Sequence, residues 1–459
     1  MGLTLSGGGA SASFQVGALR YLYNVVGIAP TVITGTSAGS ILATLLAQAD
    51  DHDGQRQVLD DVERAYEDLR QPADIMVELD WFTQVQKLVP ALQRLGQDRV
   101  SPLEPDASAP PEPDQRPRRR PAGGGPGQRR AAGRAGRTPW DTTPARETLA
   151  LLWNLSRSRP DFDALLRGAR HEQAMYRRGP IFDRLLGPDT FDAERLARSR
   201  TELRVAVVAL ESGELRYVTG RGVLVDRDDV PLVSEGPVLL TDAVHASCAI
   251  PAVYAPVPLG AEHYVDGGTR ENLPVEIATK HLGVTRCYAI DALPTGVGTD
   301  SSYARKDMLT IVLRATAGIL ADEVRLDDAV RARAAGAVHI APEVDVLGVL
   351  EVDPGLLAIS RDYGYLRAAE ACEGASPAEQ QVTRQVVELR RRTWTTENER
   401  QAARALDPDA EALPDPASLK RELRDLIAQV PPGRLPPGAD QWWQAWERHV
   451  VAIEEPVTW

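Results

Sequence analysis

Short apolar runs, glycine-rich turns and segments of helical periodicity alternate over the first fifty residues. Residues 3–5 form one apolar run and residues 31–34 a β-branched run, so both predict buried strands. Residues 13–25 repeat apolar side chains along one helical face, and residues 41–48 are apolar and compatible with a helix. The chain is therefore expected to begin as strand, helix, strand and helix.

A helical region follows. Apolar residues recur at helical spacing between residues 50 and 69, Pro72 ends that pattern, and a second helical segment continues to about residue 95. Strand patterns return at 203–210 and, after a turn, at 215–219. Residues 50–200 thus read as a mainly helical insertion between core strands.

Alternating elements continue beyond residue 280. Strands are expected at 286–291, 308–313 and 337–341, and helices at 322–335, 353–372, 381–392 and from Pro416 onward. These patterns divide the chain into a core unit over 1–372 and a C-terminal helical extension over 376–459. The extension ends in a cluster of tryptophans, Trp442, Trp443 and Trp446, which favours packing of a helix over membrane-interface contact.

Composition changes the reading of residues 101–147. This stretch holds ten prolines and six glycines, which predicts a disordered loop within the insertion. Residues 116–137 carry eight arginines and no acid, so contact with anionic lipid headgroups is a second interpretation beside a solvated linker.

Charge and cysteine content narrow the class of protein and its expected location. The 459-residue chain has a net charge of −13, which argues against nucleic acid as a partner. Its three cysteines have neither disulfide nor metal-ligand spacing, and residues 1–6 lack the basic region of a signal peptide. The uncharged stretch 21–49 breaks into strand, turn and helix rather than a membrane span. A cytoplasmic protein, with peripheral membrane contact as an option, is expected.

A candidate nucleophile lies between the second strand and the helix after it. The sequence Gly35-Thr-Ser37-Ala-Gly39 matches the G-x-S-x-G turn in the strand–turn–helix context that this motif requires. Such a turn projects the serine hydroxyl away from the backbone, and the flanking glycines tolerate strain. Ser37 is the predicted nucleophile.

Three glycines follow the first strand. The N–H groups of Gly7, Gly8 and Gly9 can point into one space and suit an anion, either a phosphate or the oxyanion of a tetrahedral intermediate. Residues 7–12 also fit the dinucleotide fingerprint, but the acid expected at the end of the second strand is missing. The third interpretation of these glycines, beside an anion site and a dinucleotide site, is a plain turn.

Asp266 is a second candidate for the catalytic machinery. It ends a short strand and precedes Gly267 and Gly268, which permit close backbone contact, although D-G-G alone is common in turns. Four blocks in this order resemble the patatin-like phospholipases: residues 6–10, 35–39, 246–251 and 266–268. The resemblance covers about 1–50 and 200–372.

The resemblance implies a three-layer α/β/α fold with a mostly parallel sheet. It also implies a catalytic dyad of Ser37 and Asp266, with Gly7, Gly8 and Gly9 as the oxyanion hole. Because aspartate is ordinarily a weak base, we expect a desolvated site that raises the pKa of Asp266. Ser11 and Ala12 replace the basic residue and glycine usual in the family, which bears on phospholipid specificity.

The expected function is cleavage of carboxylic esters of lipids, of the phospholipase A, lysophospholipase or acylglycerol lipase type, without cofactor or metal. Thioester cleavage or transacylation on the same site, a dinucleotide-binding oxidoreductase and a catalytically silent interaction protein are the alternatives. A Ser-His-Asp triad is a rival mechanism, but none of the histidines lies in a recognisable motif. The histidines weighed for it are His245, His263, His281, His339 and His449.

Overall fold

A computed structural model describes residues 1–83, 172–232, 236–296, 302–303, 311–312, 314–406 and 416–439. The predicted loop 101–147, most of the second helical segment after Pro72 and the tryptophan cluster lie outside these residues. Ten α-helices are described within them: α1 Ser13–Tyr21, α2 Ala38–Leu46, α3 His52–Glu67, α4 Pro180–Leu186, α5 Ala193–Arg198, α6 Leu240–Ser247, α7 Ala321–Ala334, α8 Pro354–Glu373, α9 Pro377–Leu406 and α10 Pro416–Ile427.

The described strands form one large sheet and one two-stranded antiparallel sheet. They are β1 Gly2–Leu5, β2 Val32–Thr36, β3 Met76–Glu78, β4 Tyr176–Arg178, β5 Glu202–Ala209, β6 Leu215–Thr219, β7 Leu224–Val225, β8 Val257–Leu259, β9 Glu262–Asp266, β10 Cys287–Ile290 and β11 Val338–Ile340. The large sheet has the order β11-β10-β1-β2-β5-β6-β7, with β9 also paired to β5 and β8 to β9. The five strands from β11 to β5 are parallel, so the sheet is mixed but parallel at its centre.

Alternating side chains along the central strands fill two separate cores. One face of the sheet contributes a large apolar cluster with α1, α2, α3, α6 and α8, which includes Leu3, Ile33, Val205 and Ile290. The opposite face packs on the segment after β9 and on α7, through residues such as Leu273, Ala289 and Ala332. Helices therefore cover both faces, and the predicted three-layer α/β/α class is confirmed.

The strand β5 brings two chain segments together end to end. Along one side it pairs with β2 as far as Ala206, which lies opposite Thr36. From Val207, which lies opposite Asp266, it pairs antiparallel with β9. Since β6 occupies the other side of β5, β2 and β9 share one side and their ends meet there. This junction places residue 37 beside residue 266.

Most predicted elements are present, with two differences. The insertion also contains the two-stranded sheet of β3 and β4, in which Met76 pairs with Arg178. The sequence did not predict it, because each strand is three residues long and shows no clear alternation. Of the strand expected at 308–313, only 311–312 are described, and they are helical. No helix within the described part of the chain is long and apolar enough to cross a membrane.

Candidate active site

Ser37 occupies a strained turn between β2 and α2. Its backbone has φ 53° and ψ −129°, a left-handed conformation that non-glycine residues rarely adopt. The side chain is 5% exposed. The chain reverses here because α2 begins at the next residue, as a nucleophile elbow requires.

A buried serine holds this turn in place. The Ser37 N–H donates to the Ser247 hydroxyl oxygen at 2.9 Å, and the Ser247 hydroxyl donates to the Ala206 carbonyl at 2.7 Å. Ser40 adds a bond from its hydroxyl to the Ser37 carbonyl at 2.6 Å. The polar groups of the strained residue are therefore paired, which offsets part of the cost of the conformation.

Asp266 is buried next to this serine. Burial is the largest influence and raises the pKa of the Asp266 carboxyl to about 6, while hydrogen bonds from Ser37 and from the Gly268 N–H lower it in part. The Gly268 N–H lies 2.8 Å from Oδ1. The structure thus joins the two predicted dyad residues, and the carboxylate is a stronger base than an exposed aspartate.

Tight backbone contacts explain the glycines that flank these two residues. A Cβ at Gly39 would lie 2.5 Å from the Ser6 carbonyl oxygen, and one at Gly267 would lie 2.6 Å from that of Ala206. A Cβ at Gly35 would lie 2.5 Å from the Gly39 carbonyl oxygen. Side chains at these positions would separate the elbow from the strands beside it.

The glycine-rich loop lies against the elbow, but its three residues differ. The Gly7 N–H donates to the Asn272 carbonyl at 3.2 Å, and a Cβ at Gly7 would lie 2.9 Å from that of Ser37. Gly8 precedes a short 3-10 helix, Gly9–Ala12, whose first N–H groups have no partner within it. Gly9 has φ 54°, and a Cβ there would collide with the Val349 carbonyl.

The two residues that depart from the family pattern are buried. Ser11 is 3% exposed and its hydroxyl donates to the Leu347 carbonyl at 3.3 Å. Ala12 is fully buried. A side chain at position 11 therefore contacts the loop after β11 rather than solvent.

The histidines have other partners. His339 and Asp291 form a buried pair at 2.7 Å on β11 and at the end of β10. His263 pairs with Glu211 at the surface, and the closest described acid to His281 is Asp228 at 3.9 Å. Burial lowers the pKa of His245 to about 4. Among the described residues no histidine is recorded in contact with Ser37 or Asp266, and His449 lies outside them.

Comparison with known proteins identifies the family of the chain. The family model described as patatin-like phospholipase matches residues 3–279. This chain belongs to the patatin-like phospholipase family, and it is accordingly a hydrolase that acts on ester bonds.

More distant structural likenesses are weak. VipD from Legionella pneumophila is 15% identical with a TM-score of 0.31, and the match covers 99% of this chain and 88% of that one. The type III effector protein ExoU is 14% identical with a TM-score of 0.20, covering 99% and 77%. Neither carries a structural argument at these scores. No curated protein matches the sequence significantly.

Three residues at the site carried no predicted role. Ser247 lies inside the block 246–251 and Asn272 lies four residues after the block 266–268, whereas Asp328 lies in α7, far along the chain. The only signal for the first two was a polar side chain within or just after a family block. Asp328 had none, because its partners are backbone groups distant in sequence.

Proposed function

We propose that the chain is a serine acyl hydrolase that cleaves carboxylic esters of lipids through Ser37 and Asp266. The observation that carries the proposal is the buried contact between the strained Ser37 and a carboxylate whose pKa is raised to about 6. A serine hydroxyl is a poor nucleophile until a base removes its proton, and this base is already in contact with it.

The chemistry follows from this pair. Asp266 takes the hydroxyl proton as Ser37 Oγ bonds to the ester carbonyl carbon, and the carbonyl oxygen becomes an oxyanion. The alcohol then leaves with that proton, and the acyl group remains on Ser37. Water, deprotonated by the same carboxylate, hydrolyses the acyl-enzyme and restores the dyad.

Gly8 and Gly9 supply the oxyanion hole in this proposal. Gly8 precedes the short 3-10 helix and Gly9 is its first residue, while the N–H of Gly7 is bonded to Asn272. Donors of this kind stabilise charge that develops only in the transition state, at about 3–4 kcal/mol for each donor. Gly7 then has a different task, which is to hold the loop beside Ser37.

We also propose that the protein contacts a lipid surface at the edge of the sheet that carries Ser37. The evidence is the segment 311–320, whose described residues include four exposed apolar side chains. Its Ile311, Val312, Ile319 and Leu320 side chains are 43–60% exposed. The stretch contains Arg314 and no acidic residue, in a chain of net charge −13. Such a segment suits contact with phospholipid.

The test of the dyad is turnover of p-nitrophenyl esters of increasing acyl length by wild type, Ser37→Ala and Asp266→Asn. We expect wild type to hydrolyse long-chain esters and each variant to lose about 1,000-fold or more in kcat. Ser37 and Asp266 act together in one step, so the double variant should lose no more kcat than either single variant.

Matched controls lie on the exposed face of α10, where Ser418→Ala and Asp425→Asn make the same chemical changes. These should keep wild-type turnover. Circular dichroism and thermal unfolding confirm that all variants are folded. A folded Ser37→Ala protein with wild-type turnover would show that the elbow is not the active site.

A further inference from the structure

The segment 271–274, which follows the D-G-G turn, touches each of the other parts of the site. The Thr36 hydroxyl donates to the Glu271 carbonyl at 3.3 Å, and the Thr34 hydroxyl donates to the Pro274 carbonyl at 2.8 Å. Both threonines belong to β2, the strand that Ser37 directly follows. The segment is thereby bound along the strand that carries the nucleophile.

Asn272 connects this segment to the glycine-rich loop. Its carbonyl accepts the Gly7 N–H at 3.2 Å, and its side-chain amide donates to the Gly7 carbonyl at 3.3 Å. Gly7 is confined on the other side too, since a Cβ there would lie 2.6 Å from Asn272 Oδ1 and 2.9 Å from Ser37 Cβ. Asn272 thus bonds to both backbone polar groups of Gly7, and the Gly7 carbonyl also accepts the Ser6 hydroxyl at 3.1 Å.

Asp328 in turn holds Asn272. Its carboxylate Oδ2 accepts the Asn272 N–H at 2.6 Å and the Leu273 N–H at 3.0 Å. The residue is 1% exposed, although it belongs to a helix with many charged side chains. The other oxygen, Oδ1, lies 3.4 Å from the half-exposed Arg331. Two buried backbone donors would be left unpaired without this carboxylate.

We infer that Asp328, acting through Asn272, is a positioning residue for the oxyanion hole. The chain of bonds runs from Asp328 to Asn272, from Asn272 to Gly7, and along the loop to Gly8 and Gly9. It fixes the distance between those N–H groups and Ser37 Oγ. This inference rests on the proposed function, because an oxyanion hole matters only if Ser37 attacks an ester.

The consequence is specific to the transition state. A small displacement of the loop weakens hydrogen bonds to the oxyanion but leaves the acyl-binding surface unchanged. Loss of Asp328 should therefore lower kcat and leave KM nearly constant. A residue that only supports folding would lower thermal stability and leave the kcat of folded protein unchanged.

The experiment compares Asp328→Leu, which removes the acceptor but keeps the branching at Cγ, with Asp328→Asn, which retains an acceptor oxygen. Two quantities are measured on each folded variant: kcat and KM for a short-chain p-nitrophenyl ester, and Ki for an alkyl trifluoromethyl ketone. The ketone forms a tetrahedral adduct on Ser37 whose oxygen occupies the oxyanion position. We expect Asp328→Leu to lose about 10- to 100-fold in kcat, and we expect Ki for the ketone to rise by a similar factor. Asp328→Asn should recover most of both.

Asp322→Leu serves as the matched control. Asp322 is a second buried acid of α7, 6% exposed, and it pairs with Arg325 rather than with the site. Its loss should lower the melting temperature without changing kcat or Ki. If Asp328→Leu fails to fold, Asn272→Ala tests the next bond of the chain. It removes the side-chain bond to Gly7 and keeps the backbone bonds to Asp328 and to the Gly7 N–H. We expect about a 3- to 10-fold loss in kcat from it.

The outcomes separate the inference from the proposed function. Wild type and Ser37→Ala, measured in parallel, show whether the elbow hydrolyses esters at all. With that activity present, wild-type kcat and Ki in folded Asp328→Leu would overturn the inference. So would a change in KM alone, or a loss that Asp328→Asn does not recover.

Discussion

The Asp266 carboxylate faces opposing influences within a few ångströms. Burial disfavours its charge and raises the pKa to about 6, whereas the Ser37 hydroxyl and the Gly268 N–H stabilise the charged form. A carboxyl with a pKa near 6 is ionised at neutral pH and yet accepts a proton more readily than ordinary aspartate. The burial of one residue thus tunes the base without a histidine.

This balance predicts the pH dependence of the reaction. Asp266 acts as a base only when it is ionised, so kcat/KM should fall as the pH drops through about 6 and level off above about 7. The measurement is kcat/KM for a neutral ester between about pH 4.5 and about pH 8.5. An acid limb centred near pH 4, the range of an exposed aspartate, would contradict the assignment.

Two other buried acids require a control for this profile. Burial raises the pKa of both Glu271 and Asp328 to about 7, so either could add an inflection of its own. Neither is recorded in contact with Ser37 within the described residues. In Asp328→Asn the limb near pH 6 should persist.

At the scale of elements, the site depends on how closely α2 approaches β1. Gly39, in the first turn of α2, lies against the carbonyl oxygens of Ser6 and Leu5, which a Cβ would approach to 2.5 and 2.7 Å. These atoms are backbone, so they cannot move aside without moving the glycine-rich loop. The helix, the strand and the loop therefore form one unit.

Substitution of Gly39 by alanine should disturb this unit. We expect Gly39→Ala to lose about 100-fold or more in kcat and about 1–3 kcal/mol in the free energy of unfolding, because loop and elbow must separate. Ester turnover and denaturant unfolding measure the two effects. Gly236→Ala is the matched control, since a Cβ there meets nothing within 4 Å. Equal behaviour of the two variants would show that the contact is not needed.

Sequence patterns predicted the parts of the site that depend on local backbone. Ser37 and its glycines could be found because the turn needs those residue types in that order. Asp328 could not, since its charged helix reads as solvent-facing and only its partners, 56 and 55 residues away, explain its burial. The sequence also did not predict that β2 and β9 meet along β5. The strand β9 is antiparallel to β5, whereas β2 is parallel to it. Long-range pairing of this kind leaves no periodicity in either segment.

At the scale of the whole molecule, the carboxyl ends of the parallel strands define one edge of the sheet. Leu5, Gly35 and Ile290 lie in register across β1, β2 and β10, so the loops that follow them emerge together. The helix α7 leads into the parallel strand β11 and so runs from this edge toward the opposite one. Its first residues lie on the same side as Ser37.

The apolar segment extends this edge outward. Leu320 immediately precedes α7 and lies eight residues before Asp328, which is bonded beside the glycine-rich loop. At about 1.5 Å per residue, Leu320 lies about 12 Å from Asp328 along the axis of α7, toward the edge of the sheet that bears Ser37. A lipid surface that meets this segment would therefore meet the edge of the sheet that bears Ser37.

The corresponding prediction concerns binding to lipid apart from chemistry. Leu320→Asp should weaken partition onto vesicles of phosphatidylcholine and phosphatidylglycerol by about tenfold, because a charge replaces apolar area at the interface. Turnover of a water-soluble short-chain ester should stay unchanged. Val25→Asp is the control: Val25 is 53% exposed, close to the 60% of Leu320, but it follows α1 at the opposite edge of the sheet. Vesicle sedimentation measures partition for all three proteins. Equal weakening by both substitutions would place the contact elsewhere, whereas a loss confined to Leu320→Asp would show that the lipid meets the protein at the edge that bears the nucleophile.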